Sequence, residues 1–251
     1  MTKQQSRLVI LSGPSCVGKG PLHDSLAVHH PELAQQLALL VLYTSRDPRP
    51  GEQDGINYHF RSREEVEQLK SRDGFIVMDV RGDLQGIEVR TILEILDSGR
   101  NPFYEGNPFI ASQLLEHPLL REIPSLSVFL SPLSADEFRY LGDPDRRVDL
   151  ESMLTDVMRH KLLRRTTKQK GLLAEHDLRN IERRASSAFS EVKLAWKFDH
   201  VISNHDGEDS ENWNAFYYPI GDAFEATKAF ASLLKGEVTP NTEKWDEGIL
   251  D

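Results

Sequence analysis

A chain of 251 residues can bury a large core, and a hydrophobic fraction of 39% with a charged fraction of 28% excludes a wholly disordered chain. The formal net charge of -10 excludes general nucleic-acid binding, so any anion site must be built locally. One cysteine excludes an internal disulfide framework, and the polar start MTKQQSRL shows neither a signal peptide nor a membrane span, so a cytoplasmic protein without a membrane partner is expected.

Leu8, Val9, Ile10 and Leu11 form an apolar run of strand length. The segment Gly13-Pro14-Ser15-Cys16-Val17-Gly18-Lys19-Gly20 follows, with the spacing G-x-x-x-x-G-K, and then a helix from Pro21 to His30 that Pro31 ends. Glycines let such a loop bend around an anion, while the helix start and Lys19 supply positive charge. That is a cradle for nucleotide phosphates. Gly20 stands where a Ser or Thr usually gives a hydroxyl to Mg²⁺, so one metal contact is missing. Cys16 beside Lys19 and a helix start is in a setting that lowers a thiol pKa; a small residue that merely fits the loop is the plainer reading.

Leu37 to Ser45 contains a strand, and Arg46 to Gly55 is a loop dense in Pro, Gly and Asp. Arg46 and Arg49 sit three apart in that loop, stiffened by Pro48 and Pro50, and Tyr58 adds a phenolic donor. Two guanidinium forks and a hydroxyl suit a second phosphate or carboxylate, although the arginine pair alone is equally at home in a surface loop. Asn57–Phe60 reads as a strand, Ser62 with Glu65 as a capping box opening a helix, Phe75–Val80 as a strand and Gly86–Gly99 as an amphipathic helix. A short strand at Pro102–Glu105, a helix at Phe109–Leu115, a buried strand at Leu126–Leu130 and a helix from Ser134 follow.

The turn-rich stretch Gly142–Leu150 begins an insertion, followed by helices at Glu151–Arg164 and Asp177–Trp196. Asp199–Ser203 is the last strand, Asp222–Leu234 the last helix, and the polar tail from Lys235 is either disordered or draped over the surface. Between Arg159 and Arg184 nine Lys or Arg face only Glu175, Asp177 and Glu182, a basic island in an acidic chain. Alternating strands and helices predict an α/β fold, a parallel sheet with helices on both faces and ligands at the carboxyl ends of the strands.

Together the loop at Gly13 and the segment Thr44-Ser45-Arg46-Asp47-Pro48-Arg49-Pro50-Gly51-Glu52, then Gly55, Tyr58 and Phe60, resemble the guanylate kinase family, which carries GPSGxGKS and TTRxPRxGExxGxxYxF. Ile181-Glu182-Arg183-Arg184, Ala188 and Glu191 are similar to the helix after that family's lid, and Val201-Ile202-Ser203-Asn204 to its last strand and the turn that meets adenine. The resemblance implies a three-layer P-loop fold in one domain over residues 1–234. Its core would be 7–41, 99–133 and 185–234, with an acceptor-binding subdomain near 42–98, an insertion plus lid near 134–184, and a tail at 235–251. It implies ATP and Mg²⁺ as cofactors and a nucleoside monophosphate or related phosphorylated small molecule as acceptor. In that picture Gly13 to Gly20 and Asn204 bind ATP, and Lys19, Arg164, Arg165 and Arg184 stabilise the moving phosphoryl group. Arg46, Arg49, Tyr58 and Glu105 would hold the acceptor.

Several positions depart from the family pattern. Its guanine-reading serine, glutamate, tyrosine and aspartates align with Leu42, Val77, Gln85, Glu105 and Asn107, two of them hydrocarbon. A module that binds a phosphorylated ligand or peptide without catalysis is therefore the alternative, and a hydrolytic NTPase ranks last. The 134–160 insertion either enlarges the lid or makes a dimer contact, which leaves a homo-oligomer open. The nine histidines show no metal spacing, Ser15 has no His/Asp partnership, and Trp196, Trp213 and Trp245 read as packing residues.

Overall fold

The computed structural model describes residues 5–49 and 51–250. Pro50, expected to stiffen the arginine loop, lies outside them. Strands β1 (Leu8–Ser12), β2 (Leu37–Leu39), β7 (Asn101–Gly106), β8 (Ser125–Ser131) and β9 (His200–Ser203) form a five-stranded parallel sheet in the order β2-β7-β1-β8-β9, flanked by helices. A second sheet has the order β4-β3-β6-β5, from β3 (Leu42–Thr44), β4 (Tyr58–Phe60), β5 (Phe75–Val80) and β6 (Asp83–Glu88). All five residues of β1 are buried, which is why its sequence is an unbroken apolar run. The α/β class with a parallel sheet is as the sequence predicts.

The chain divides into two compact units, one made by the segment ending at Ile10 with Gln36–Ser125, the other by Leu11–Gln35 with the segment starting at Leu126. In the first, helices α3 (Arg63–Leu69), α4 (Val89–Asp97) and α5 (Pro108–Glu116) accompany the four-stranded sheet. Ser62 caps α3 through a capping box with Glu65, as read from the sequence. Val66 and Leu69 of α3 close over Leu84, with Tyr43, Phe75 and Val77 packed around them.

Two expectations change in this unit. The 37–45 segment is two strands, β2 and β3, each in a different sheet. The segment from Gly86 begins not as helix but as the second half of β6, and α4 starts only at Val89. Val89, Ile92 and Leu96 do fit a helical period, but Asp83–Glu88 is bound along both edges, to β3 and to β5, and those pairings make it a strand. Arg81 and Gly82, both at positive φ (60° and 90°), make the two-residue turn between β5 and β6.

The second unit carries α1 (Lys19–His29), α2 (Pro31–Ala34), α6 (Ala135–Leu141), α7 (Leu150–Lys170), α8 (Glu175–Ser186), α9 (Ala188–Val192) and α10 (Gly221–Lys235). Helix α1 begins at Lys19 itself, two residues ahead of Pro21, so the lysine is the first residue of the helix that meets the loop. Helix α7 runs on to Lys170, and Gly171 with φ 76° ends it. The single helix expected over 177–196 is broken at Ser187 and again after Val192. The tail is draped, not loose: Glu243 pairs with Val201, Trp245 is buried edge-on against Phe138 at 5.7 Å, and Leu250 is buried.

Candidate active site

In the second unit the loop from Gly13 to Gly18 closes over the start of α1. Gly13 has φ 146°, and a Cβ there would lie 2.3 Å from the Leu130 carbonyl oxygen of β8, so no side chain fits. Gly18 (φ 105°) would push a Cβ to 2.6 Å from Asn204 Nδ2. Cys16 is itself left-handed, with φ 66°. Gly18 shares that left-handed backbone, the kind of conformation that loops around bound anions use. Lys19 is buried and its Nζ donates to the carbonyls of Gly13 and Pro14 at 2.8 Å each.

Three other parts of the unit reach this loop. Arg184 of α8 donates through Nε to Ser15 Oγ at 3.0 Å, which places it against the loop. Asn204 donates through Nδ2 to the Val17 carbonyl at 2.7 Å while its backbone N–H bonds Ser131. Its side chain therefore holds the loop to the end of the sheet. The Glu208 N–H bonds the Cys16 carbonyl at 3.1 Å, so the segment after β9 lies on the loop.

The basic island is anchored to that segment. Arg164 Nε pairs with Asp209 Oδ2 at 2.8 Å and Arg165 with Glu208, while Lys161 donates to the His205 carbonyl. Glu208 and Asp209, to which the sequence reading gave no role, balance the island's charge, and burial lowers the pKa of Lys161, one of the island's nine cations, from its ordinary value. Their only sequence signal was the count of acids just past the last strand. Cys16 reverses one expectation: burial, with Glu208 nearby, raises its thiol pKa to about 11, so it stays a neutral thiol that fills space.

The first unit holds the other predicted group. Both oxygens of Glu52 accept from Arg46, at 2.6 and 2.7 Å, and Glu52 also accepts the Arg49 N–H at 2.7 Å. Arg46 stacks over Tyr58 at 4.8 Å and Phe60 at 5.5 Å. Burial opposes the Arg46 charge, yet the bonds from Glu52 outweigh it and raise its pKa, while Arg46 and the Arg49 N–H hold the Glu52 carboxyl below its usual value. Glu52 was quoted in the motif without a role, and it is what orients the guanidinium. Arg46, Arg49 and Tyr58 thus come together on β3, β4 and their connection.

Among the positions aligned with base recognition, Leu42 is buried and Val77 faces the α3 cluster. The residue directly across from Gln85 on β5 is Met78. Asn107 joins Gln85 at 2.8 Å. Glu105 is the next-to-last residue of β7 and is half-buried.

A lysine-bearing glycine loop at the end of a parallel sheet strand, with an arginine from a following helix on it, defines a P-loop phosphotransferase of the nucleoside monophosphate kinase class. A family model described as guanylate kinase matches residues 5–143. The guanylate kinase of Synechococcus sp. (strain JA-3-3Ab) is 31% identical over 218 residues, covering 86% of this chain and 83% of that protein. That of Halalkalibacterium halodurans is 26% identical over 209 residues, covering 83% and 85%. The crystal structure of guanylate kinase from Anaplasma phagocytophilum shares the fold, with a TM-score of 0.55 at 20% identity over 96% of this chain and 91% of that one. The chain belongs to the guanylate kinase family.

Proposed function

We propose that the protein transfers the terminal phosphoryl group of ATP to GMP or a closely similar nucleoside monophosphate. The observation that carries this reading is Arg184 seated on Ser15 of a loop whose Lys19 is buried against Gly13 and Pro14, two cations converging where a transferring phosphoryl group would be bound. Phosphoryl transfer asks little of a protein beyond alignment and charge neutralisation, and both cations act in a site partly withdrawn from water. In this reading Gly13–Gly20 cradle the phosphates of ATP, and Asn204 acts on ATP through the loop it holds. Arg46, Arg49 and Tyr58 grip the acceptor's phosphate, which would replace Glu52 as the partner of the Arg46 fork. Residues 42–98 serve as the acceptor-binding part and 134–184 as insertion and lid, with Arg164 and Arg165 exchanging Asp209 and Glu208 for phosphate oxygens as the lid closes.

Mg²⁺ would enter with ATP. Gly20 offers it no hydroxyl, and among the described residues no three His, Cys, Asp or Glu converge to hold a metal. The donors that fit such an ion here are the nucleotide's own phosphate oxygens and water, which Mg²⁺ accepts readily. The non-catalytic phosphopeptide module is not favoured, because relatives over most of the chain are named guanylate kinase.

A coupled assay of ADP release with GMP, other nucleoside monophosphates and ribose phosphates tests the reading. Turnover with GMP supports it; a folded protein that releases no ADP with any acceptor refutes it.

A further inference from the structure

Five aromatic residues, Trp213, Phe216, Tyr217, Tyr218 and Phe224, fall between the last strand and the first turn of α10. Trp213 is buried: its Nε1 donates to the Gly207 carbonyl at 2.6 Å and its ring lies against Gly18 of the glycine loop. The other four face outward, with 63% of Phe216, 90% of Tyr217, 51% of Tyr218 and 39% of Phe224 exposed. They also pack on one another. Phe216 stands edge-on to Tyr217 at 5.5 Å and to Tyr218 at 5.7 Å, and Tyr218 meets Phe224 at 6.3 Å. Val28 of α1, itself exposed, continues the patch, because it lines one cleft of about 320 Å³ with Phe216, Tyr217 and Tyr218.

The segment that carries these rings is pinned at both ends. Asp206 accepts from Asn212 Nδ2 at 2.7 Å and from the Ala223 N–H at 2.8 Å, and the Ile220 N–H bonds the Asn212 carbonyl at 3.0 Å. Little freedom is therefore left to lose when something docks there. At about 200 Å² for each aromatic side chain, the exposed parts of the four rings amount to about 500 Å². Two such faces pressed together bury about 1,000 Å² from the rings alone, the size at which a specific interface begins, and Val28 and the rim of the cleft add to it.

Charge and shape narrow the occupant. Each copy of the chain carries a net charge of -10, so two copies repel except where they meet on a face poor in acids. Asp24 is the one acid lining the cleft, and His29 lines it as well. A two-fold axis sets any two such residues against each other twice, so an acid and an imidazole on one face are complementary to the same face of a second copy. Tyr217 is a projecting knob beside a cleft with room for a tyrosine side chain, which makes the shape self-complementary too.

We propose that a second copy of this chain docks on the aromatic face, in a two-fold dimer in which Tyr217 of each copy enters the cleft beside Val28 of the other. The second unit supplies the whole of this surface. The 134–160 insertion is then not the dimer contact; its exposed ring, Tyr140, lies under the Arg146 guanidinium of the same insertion.

Sedimentation velocity of the full chain tests the pairing, with circular dichroism to show that each variant is folded. Wild type should be a dimer at about 100 μM. Tyr217→Glu removes a contact on both sides of the axis, and at about thirtyfold for each it should raise the dimer Kd about a thousandfold and leave a monomer. Val28→Glu, on the surface of α1, should dissociate the dimer likewise and decides the matter if the first variant fails to fold. Tyr140→Glu should stay dimeric. The wild-type dimer should tighten in about 0.5 M salt, which screens the repulsion between two acidic copies.

A wild type that is monomeric at about 100 μM overturns the proposal and gives the face to a different occupant, a peptide or a small molecule. So does a dimer that persists in the folded Tyr217→Glu or Val28→Glu protein, one that Tyr140→Glu breaks, or one that salt dissociates.

Discussion

Replacing Lys19 by methionine keeps the side chain's length and apolar stem but deletes its charge and its donors. In the structure Lys19 Nζ bonds the Gly13 and Pro14 carbonyls at 2.8 Å each in a buried setting. The variant leaves those two carbonyls with less to bond, which costs about 1–3 kcal/mol of stability. In the reaction it removes a preorganised cation from the moving phosphoryl group, worth about 3 kcal/mol or about a hundredfold in kcat. With a urea slope of about 3 kcal/mol/M, the unfolding midpoint should drop by no more than about 1 M, so the protein remains folded at assay conditions. Initial rates of ADP formation from ATP and GMP, read beside a urea titration, separate the two effects. A folded Lys19→Met protein that keeps more than about a tenth of the wild-type kcat would refute the placement of Lys19 at the reacting phosphate.

Gly13→Ala forces a Cβ to 2.3 Å from a backbone oxygen that cannot move aside, whereas Gly171→Ala, also at positive φ, meets nothing within 4 Å. The second should cost about 1 kcal/mol and the first about 3 kcal/mol or more in urea unfolding, and equal costs would sink the close-approach argument. His205 lies between Asp222 and Glu137, and although burial opposes its charge, bonds to both carboxylates raise its pKa above 6.5. A raised folded pKa means its contribution is complete below about pH 6.5 and is lost as pH rises through the folded value, so wild type should lose stability relative to His205→Asn as the pH is raised above about 6.5. Trp245→Ala, which empties the contact with Phe138, should destabilise by about 3–5 kcal/mol in the same titration, and a negligible change would mean the tail is not part of the core. Arg46→Lys, losing the fork that Glu52 now occupies, should raise the acceptor KM about tenfold and leave the Kd for ATP unchanged.

The frame of the fold was legible because its signals are local. Leu8–Leu11 read as a buried strand since every residue of β1 is inside, and the glycine spacing after it placed the loop and the first helix within two residues. The capping box of Ser62 with Glu65 spans four residues and occurs as read, and the helix expected from Ser134 is capped there. What the sequence hid was set by distant partners. Nothing within Asp83–Glu88 announces a strand, because its order comes from β3 and β5 on either side. Likewise the polar tail gave no sign that Glu243 would bond Val201 or that Trp245 would reach Phe138.

The candidate site divides along the same line. Arg46, Arg49 and Tyr58 stand in one short motif and their cluster follows from it, but the acid that orients Arg46 became visible only as two bonds from one guanidinium to Glu52. Alignment put Val77 beside the base, yet strand alternation turns it to the α3 face and sets Met78 across from Gln85; a shift of one residue reverses which side chains a ligand meets. The polarity that Gln85 offers is farther still from the sequence. It depends on the Ile110 N–H, twenty-five positions along the chain, deciding which end of Asn107 is oxygen. A glutamine in a motif is neutral between donor and acceptor, and here a helix cap makes the choice.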